Sequence, residues 1–285
     1  MIEISLPTPH TGAIITGVDV NAMSEADFEV IYRTWLERNM ICVRGQRLTQ
    51  EQFLAYSRRF GRLKPHRVKQ TRDPRHPEIT LMGVNKKQAD GTLNPLIVRR
   101  GASWHTDSPW DQEICKATQL YGIAIPSQGG DTLFTNMYRA YDALPDRLKD
   151  RIQGVKAEFV YGGLKRQGVN LLDPEDRDLP PAVHPIARTH EETGRTSLYI
   201  NPTHITRLQG MGAAESAALL EELFPYMLQP GADYRHKWQV GDIVIWDNRC
   251  SLHAATGDHP PDQDRIHWRV TIMAPEGKEA RVAAE

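Results

Sequence analysis

The sequence predicts a mainly β protein, either a β-barrel or a jelly roll, with flanking helices. Short runs rich in β-branched and aromatic residues recur along the chain, and the helical patterns lie mostly outside this strand-rich part. This arrangement favours a barrel or jelly roll over the strand–helix alternation that builds a parallel sheet. Because the chain has 285 residues, 40% of them hydrophobic, we expect residues 1–285 to form one large domain.

Four segments have the residue pattern of amphipathic helices. Two of them begin with a capping-box pattern, a hydroxyl residue followed three positions later by an acid or amide: Ser24 with Asp27, and Thr49 with Gln52. The other two cover residues 136–152 and 213–228. We expect Pro145 to break or kink the third helix, because proline has no amide hydrogen to donate.

Short strand-like runs lie between these helices. The clearest cover residues 40–44, 78–83, 118–125, 197–201, 242–246 and 266–273. Residues 189–200 are predicted to form two strands joined by a polar turn at Gly194. Residues 62–103 form the least regular part of the sequence, and a long irregular insert of this kind is typical of a lid or binding loop.

Charge and composition exclude several classes of partner. The formal net charge of −1 argues against nonspecific binding to nucleic acid or to an anionic membrane surface. No apolar run approaches the length of a membrane span, and the first residues lack the features of a signal peptide. The three cysteines form no CxxC pair, so neither a disulfide framework nor a thiolate metal site is indicated. We therefore expect a cytoplasmic protein.

The segment "SWHTD" places His105 and Asp107 two positions apart. If this segment is extended, both side chains point to the same face and offer an imidazole nitrogen and a carboxylate oxygen. His253, just after the strand-like run "DIVIWDN", is the candidate for a third ligand. Two histidines and one carboxylate form the triad that binds Fe(II) and leaves coordination positions open. The alternative is a hydrogen-bonded His–Asp pair at the surface.

The C-terminal strand "RIHWRVTIM" has one polar and one apolar face. Arg265, His267 and Arg269 share the first face, and the residues between them share the second. A planar guanidinium pairs well with a carboxylate or a similar oxyanion, so these arginines are candidates for binding an anionic ligand. The alternative is a solvent-facing strand with ordinary surface arginines.

Together these segments resemble the taurine and phenoxyalkanoate dioxygenases. The resemblance runs through "GAIITGVDV", "ICVRGQRLTQEQFLAYSRRFG", "SWHTD", "PSQGGDTLFTNMYRAYDALP", "LYINPTHITRLQGM", "WDNRCSLHAA" and "RIHWRVTIM", in the family's order and spacing. It implies a double-stranded β-helix, or jelly-roll, fold. It also implies Fe(II), 2-oxoglutarate and O2 as cofactor and co-substrates, and a homodimer or tetramer.

The resemblance also assigns roles to individual residues. It implies that His105, Asp107 and His253 bind iron, and that Thr132 and Arg265 bind 2-oxoglutarate. Arg269 matches the second arginine of the strand, which meets the substrate sulfonate in the taurine enzymes. The implied reaction releases succinate and CO2 and hydroxylates a carbon of the substrate. Hydroxylation beside a heteroatom would lead to cleavage of a C–S or C–O bond.

Departures from the taurine enzymes argue against taurine itself as the substrate. The segment "FGRLKPHRVK" offers His66 but has Lys69 where a tyrosine is expected, and His204 stands where those enzymes have an aromatic wall. These three residues are candidate substrate contacts. A site that contains Fe(II), one carboxylate, 2-oxoglutarate and Arg265 has no net charge. Arg269 would then be balanced by a monoanion, unless it pairs with Asp131 or Asp247.

The expected substrate is therefore a small organic anion, namely a carboxylate, a sulfonate or a sulfate ester. Three other functions are compatible with the same residues. The iron centre could desaturate or epimerise an amino-acid-like anion, or the protein could be a non-catalytic, cupin-like binder of a metal or ligand. A structural zinc site is the third alternative, although zinc in such sites is usually enclosed by four protein ligands.

Overall fold

The computed structural model describes residues 2–83, 101–163, 172–177 and 179–275. Within them the helices are α1 (Glu25–Arg38), α2 (Gln50–Arg58), α3 (Met137–Asp142), α4 (Asp146–Ile152), α5 (Pro174–Arg177) and α6 (Ala213–Leu223). The strands are β1 (Glu3–Ser5), β2 (Ala13–Thr16), β3 (Met40–Val43), β4 (Arg62–Lys64), β5 (Thr80–Met82), β6 (Ala117–Ala124), β7 (Thr132–Asn136), β8 (Lys156–Phe159), β9 (Ala182–Pro185), β10 (Ala187–Thr189), β11 (Thr196–Leu198), β12 (Ile205–Leu208), β13 (Asp233–His236), β14 (Ile243–Asp247), β15 (Ser251–Ala255) and β16 (Ile266–Met273). Two 3₁₀ helices cover Lys69–Thr71 and Phe224–Met227. The prediction of a mainly β protein with flanking helices is confirmed.

The strands described here form one large sheet and three small ones. The large sheet has the order β1-β2-β3-β14-β6-β16-β4, and β5 also pairs with β16. A three-stranded sheet has the order β13-β7-β15, another has the order β12-β8-β9, and β10 pairs with β11. Strands β2 and β3 run parallel, whereas the long central strands β14, β6 and β16 run antiparallel.

Both predicted capping boxes are confirmed. The Ser24 side chain accepts a hydrogen bond from the Asp27 amide, and the Asp27 carboxylate accepts one from the Ser24 amide, each at 3.1 Å. Thr49 and Gln52 form the same reciprocal pair at the start of α2. These bonds satisfy amides that have no partner within the helix, which fixes where each helix begins.

The other local predictions mostly hold. The third helical pattern is broken as expected, because α4 begins directly after Pro145. The fourth pattern ends as an α-helix at Leu223 and continues as a 3₁₀ helix that contains Pro225. Strands β10 and β11 form the predicted hairpin, with Gly194 in the left-handed region at φ 68°. No helix of the described residues is long and apolar enough to cross a membrane.

Two predictions near the histidines were wrong in detail. Residues 101–108 are not a strand, and His105 makes only a single bridge. His253 was expected just after the strand-like run "DIVIWDN", but it lies within a further strand, β15. The predicted lid at 62–103 lies partly outside the described residues, and its described portion contains β4, β5 and a 3₁₀ helix.

The large sheet packs on both faces. On one face, Trp35 of α1 and Phe53 of α2 belong to a core cluster with residues of β3, β14 and β16. On the other face, Leu120 and Trp246 pack with Phe134 of the β13-β7-β15 sheet. The large sheet and this small sheet therefore lie face to face, and the residues between them form the candidate site.

Candidate active site

A short backbone bridge holds the two candidate histidines together. The His105 amide donates to the His253 carbonyl at 3.0 Å, and the His253 amide donates to the His105 carbonyl at 2.8 Å. Their ring centroids lie 4.2 Å apart. An isolated antiparallel bridge between the 101–108 loop and β15 therefore accounts for the closeness of His105 and His253.

Asp107 completes the cluster. Its Oδ1 lies 3.9 Å from Nε2 of His105, and its Oδ2 lies 3.7 Å from Nε2 of His253. The Thr118 hydroxyl donates to Oδ2 at 2.7 Å, and Nη2 of Arg269 lies 3.1 Å from Oδ1. Burial alone would raise the pKa of Asp107, but the nearby Arg269 and histidines hold it well below its usual range. The carboxylate is therefore ionised.

Both imidazoles turn their Nε2 toward this carboxylate. Nδ1 of His105 lies 2.7 Å from the Ser103 carbonyl, which can only accept, so Nδ1 carries a proton and Nε2 is the ring nitrogen that faces Asp107. Burial lowers the pKa of His253 to about 3, with a further contribution from His105, so this ring is neutral. Potential ligand atoms of all three residues lie within 4.8 Å of one another. An ionised carboxylate and two imidazole nitrogens that converge in this way fit a divalent metal ion.

Polar residues behind Asp107 hold the cluster in place, and no sequence motif predicted this role. The side-chain amide of Asn248 donates to the Thr118 hydroxyl at 3.0 Å, and its oxygen accepts from the Asp107 amide at 3.2 Å. Asn248 and Thr118 are both buried. Asn248 stands in the quoted segment "WDNRC", but its contact with Asp107 spans 141 residues of sequence, so no local pattern predicted it.

The predicted anion-binding pair is also assembled. Nη2 of Arg265 lies 3.3 Å from the Thr132 hydroxyl, and its Nε donates to the Gly130 carbonyl at 2.6 Å. The Trp238 indole N–H donates to the same hydroxyl at 3.0 Å. Burial lowers the pKa of Arg265 to about 10, so the guanidinium is still charged at neutral pH. A buried cation beside a hydroxyl suits a carboxylate ligand.

Arg269 is not left without a partner, because its Nη2 pairs with Asp107. The two alternative partners named from the sequence are engaged elsewhere. Asp131 pairs with Arg235 at 2.6 Å, and Asp247 pairs with Arg249 at 2.6 Å. The contact of Arg269 with Asp107 was not predicted, since it depends on how β16 faces the 101–108 loop.

One of the three candidate substrate contacts, His204, lies beside the cluster, and a second, His66, shares a neighbour with it. The His204 ring is 6.4 Å from the His105 ring and 4.6 Å from the Trp110 ring, between ring centroids. Tyr161 stacks on His204 at 6.3 Å, so the His204, Trp110 and Tyr161 rings form one cluster. Burial lowers the pKa of His204 to about 3, with a further contribution from His105. His66 is buried and lines a small cavity together with Trp110.

The third candidate, Lys69, makes its contacts elsewhere. Its ammonium is exposed and pairs with Asp173 at 2.8 Å and with Glu175 at 2.6 Å. The structure thus places Lys69 against residues 172–177, and both acids compensate its charge.

Two other groups of residues in the described chain have side chains that could bind a metal, but in both the carboxylate already binds an arginine of the protein. In the first, formed by Cys42, His236 and Asp242, the Asp242 carboxylate accepts two hydrogen bonds from Arg44 at 3.0 Å. In the second, formed by His190, Asp247 and Cys250, Asp247 is bound by Arg249. Burial raises the pKa of both thiols well above their usual value, so neither offers a thiolate to a metal.

A mainly β fold in which two histidines and one carboxylate converge beside a buried arginine is typical of non-haem oxygenases that bind a single metal ion. Comparison with known sequences agrees with this class. The chain belongs to the family described as "Taurine catabolism dioxygenase TauD, TfdA family", whose model matches residues 3–271. The resemblance found in the sequence motifs is thereby confirmed.

Relatives in this family are named as 2-oxoglutarate (alpha-ketoglutarate) dioxygenases. The (S)-phenoxypropionate/alpha-ketoglutarate-dioxygenase of Sphingobium herbicidovorans is 33% identical over 291 residues, which cover 95% of each chain. The alpha-ketoglutarate-dependent 2,4-dichlorophenoxyacetate dioxygenase of Burkholderia sp. (strain RASC) is 33% identical and covers 81% of each chain. An alkylsulfatase of Acinetobacter baylyi is 31% identical, covering 95% of this chain and 84% of the relative. The first two names confirm the predicted enzyme class, a 2-oxoglutarate-dependent dioxygenase.

Solved structures agree with the sequence relatives. A taurine dioxygenase from Burkholderia xenovorans superposes with a TM-score of 0.79 at 29% identity, covering 96% of this chain and 89% of that one. A structure of AAD-2 in complex with Mn(II) and N-oxalylglycine superposes with a TM-score of 0.77 at 25% identity, covering 96% and 98%. The chain therefore shares its fold with these dioxygenases along nearly its whole length.

Proposed function

We propose that this protein is an Fe(II)- and 2-oxoglutarate-dependent dioxygenase that hydroxylates a small organic anion. The observation that carries the proposal is the convergence of His105, Asp107 and His253 close to the Arg265–Thr132 pair. His253 and Thr132 lie on the paired strands β15 and β7. A metal site alone fits many functions. A metal site combined with a buried carboxylate clamp fits a chelating 2-oxo acid much better than a structural metal.

In this proposal His105, Asp107 and His253 hold the iron. Three protein ligands leave coordination positions open, as an oxygenase centre requires. When bound, iron and 2-oxoglutarate supply the oxidising chemistry, with succinate and CO2 as products. The protein supplies orientation and charge. Thr118 and Arg269 keep Asp107 ionised and fix its direction, and the Ser103 carbonyl fixes the tautomer of His105.

Arg265 and Thr132 hold the distal carboxylate of 2-oxoglutarate in this scheme. The guanidinium is buried, so its attraction for an anion is only weakly screened by solvent. Its Nε donates a hydrogen bond to the Gly130 carbonyl, and this bond orients the rest of the guanidinium toward Thr132. The clamp is therefore preorganised and loses little side-chain freedom when the co-substrate binds.

The charge of the site favours a substrate that is a monoanion. Iron, Asp107 and the 2-oxoglutarate dianion together carry one negative charge, which Arg265 cancels. With the buried Arg269 included, the site has a net charge of one positive unit. A carboxylate, sulfonate or sulfate ester would balance this charge. The relatives named for phenoxypropionate, 2,4-dichlorophenoxyacetate and alkyl sulfates are consistent with such anions.

The aromatic rings that pack on His204 suggest an apolar body for this substrate. His204 and His66 are proposed contacts together with Arg269, because His204 packs on Trp110 and His66 lines a small cavity with the same tryptophan. Lys69 has no role in this proposal, since its charge is compensated by Asp173 and Glu175. Hydroxylation of a carbon that bears oxygen or sulfur would release the anionic group by C–O or C–S cleavage.

We further infer a double-stranded β-helix core, because the large sheet and the β13-β7-β15 sheet face each other with the ligand cluster between them. A single domain over residues 1–285 with a lid within residues 62–103, a cytoplasmic location and a homodimeric or tetrameric state remain predictions from the sequence.

The test is succinate release from 2-oxoglutarate in the presence of Fe(II) and a panel of phenoxyalkanoates, alkyl sulfates and alkyl sulfonates. At least one of these anions should stimulate succinate release strongly, and the stimulation should be lost in Asp107→Ala. Mass analysis of the product distinguishes the outcomes, because hydroxylation adds one oxygen whereas desaturation removes two hydrogens. Binding of metal and 2-oxoglutarate without turnover of any anion would instead favour a ligand-binding protein.

A further inference from the structure

His267 is a buried histidine whose ring has no hydrogen-bond partner among the described residues. It is fully buried on β16, and neither Nδ1 nor Nε2 is satisfied within that part of the chain. Most buried polar atoms in folded proteins have a partner, and leaving one without a partner costs about 1–3 kcal/mol. Two such atoms on one side chain are therefore a feature that needs an explanation.

The surroundings of His267 are apolar except at one end. The Trp238 ring lies 4.4 Å from the imidazole in an edge-on arrangement, and the strand residues paired with His267 are Gly122 and Met82. Burial lowers the pKa of His267 well below its usual value, with further contributions from Arg265 and His236. The ring is therefore neutral, with one N–H to donate and one nitrogen that accepts.

The polar end is the carboxylate clamp. Arg265 lies two residues before His267, directly before β16 begins, and its charge contributes to the lowered pKa of the His267 ring. Trp238 connects them in space, because its ring contacts His267 while its N–H donates to Thr132 at 3.0 Å. His267 is thus about one indole ring away from the hydroxyl that Arg265 also contacts.

We propose that His267 is a third binding residue for the distal carboxylate of 2-oxoglutarate, to which it donates its ring N–H beside Arg265 and Thr132. This inference rests on the proposed function. A carboxylate has about four lone-pair positions, so two partners do not saturate it. The imidazole would therefore select a 2-oxo acid with a distal carboxylate over a monocarboxylic one of the same length.

The test measures ligand affinity rather than turnover. The Mn(II)-loaded protein is titrated anaerobically with 2-oxoglutarate and with 2-oxopentanoate, which has the same carbon chain but no distal carboxylate. The variants are His267→Met, which is apolar and of similar size, and His267→Gln, which keeps a donor. His267→Met should weaken 2-oxoglutarate binding about tenfold or more, as expected for loss of a hydrogen bond to a charged group, and should leave 2-oxopentanoate binding unchanged. His267→Gln should retain part of the affinity.

Thermal stability provides a second readout. Without ligand, His267→Met should unfold at the same temperature as the wild type or higher, because an apolar side chain replaces two unsatisfied nitrogens. A histidine with a merely structural role would instead give a less stable variant with normal affinity for 2-oxoglutarate.

The possible failures can be told apart. In the first case the wild type binds 2-oxoglutarate and Arg265→Leu abolishes this binding, but the affinity of His267→Met for 2-oxoglutarate stays within twofold of the wild-type value. This result would refute the role of His267 and leave the proposed function standing. An equal loss for both 2-oxo acids would also refute this role, because it would indicate a general distortion. Wild-type protein that does not bind 2-oxoglutarate at all would refute the proposed function itself.

Discussion

Replacing Arg269 with methionine should destabilise the metal-free protein and increase the stabilisation that a metal gives. The Arg269–Asp107 pair has a 3.1 Å contact, and only 7% and 12% of the two side chains are exposed. Removing one partner of a buried ion pair typically costs about 3–5 kcal/mol, because the remaining charge is left without compensation. For a protein of this size, about 3 kcal/mol corresponds to a fall in Tm of roughly 6 °C or more.

A divalent ion at the cluster would reverse much of this loss. Its two positive charges would lie beside the carboxylate that the substitution leaves unpaired, whereas in the wild type Arg269 already compensates part of that charge. The rise in Tm on adding Mn(II) should therefore be larger in Arg269→Met than in the wild type.

The assay is thermal unfolding of the metal-free protein with and without Mn(II). The matched control is Arg188→Met, which removes another buried arginine, one that pairs with Glu191 away from the cluster. It should lower Tm and leave the Mn(II) effect at the wild-type value. An Arg269→Met protein as stable as the wild type, or one with the same Mn(II) effect as the control, would refute the reasoning.

Three further predictions follow from individual contacts. Thr118→Val removes the hydroxyl that donates to Asp107 at 2.7 Å and should weaken Mn(II) binding about tenfold by calorimetry; unchanged affinity would show that this bond does not orient the ligand. Arg265→Leu should weaken 2-oxoglutarate binding about a hundredfold with Mn(II) affinity unchanged, and a parallel loss of both would indicate misfolding instead. Burial alone would raise the pKa of Glu192, but Arg249 lowers it from 4.5 to about 2. The contribution of ionised Glu192 to the stability of the fold should therefore be complete above about pH 4.5 and lost as the pH falls toward 2. Denaturant unfolding of Glu192→Gln should therefore depend less on pH over that interval than unfolding of the wild type, and identical slopes would rule out this contribution.

Features set by neighbouring residues were predictable from the sequence. The capping boxes at Ser24 and Thr49 and the helix break at Pro145 depend only on residues within one helical turn, and all three are confirmed. Several strands were missed for the opposite reason. β15 and β13, for example, are short and obtain their hydrogen bonds from β7, more than 90 residues distant in sequence.

In the candidate site, too, some features were predictable from the sequence and others depended on the fold. The spacing of His105 and Asp107 pointed to the correct pair, although their segment is a loop and not a strand. The isolated bridge from this loop to His253 of β15 could not be predicted from local pattern. The contact between Arg269 and Asp107 could not be predicted, since it joins residues 162 positions apart through the packing of β16. Asn248 was visible in a motif, but only the fold shows that it supports the cluster.

The most direct test of the central claim is an anaerobic visible spectrum of the protein with Fe(II), recorded before and after 2-oxoglutarate is added. The account predicts a metal-to-ligand charge-transfer band that is absent in His105→Ala and weakened in Arg265→Ala. Folded protein that binds iron but shows no such band would contradict it, because the metal and the carboxylate clamp would then not act on the same ligand.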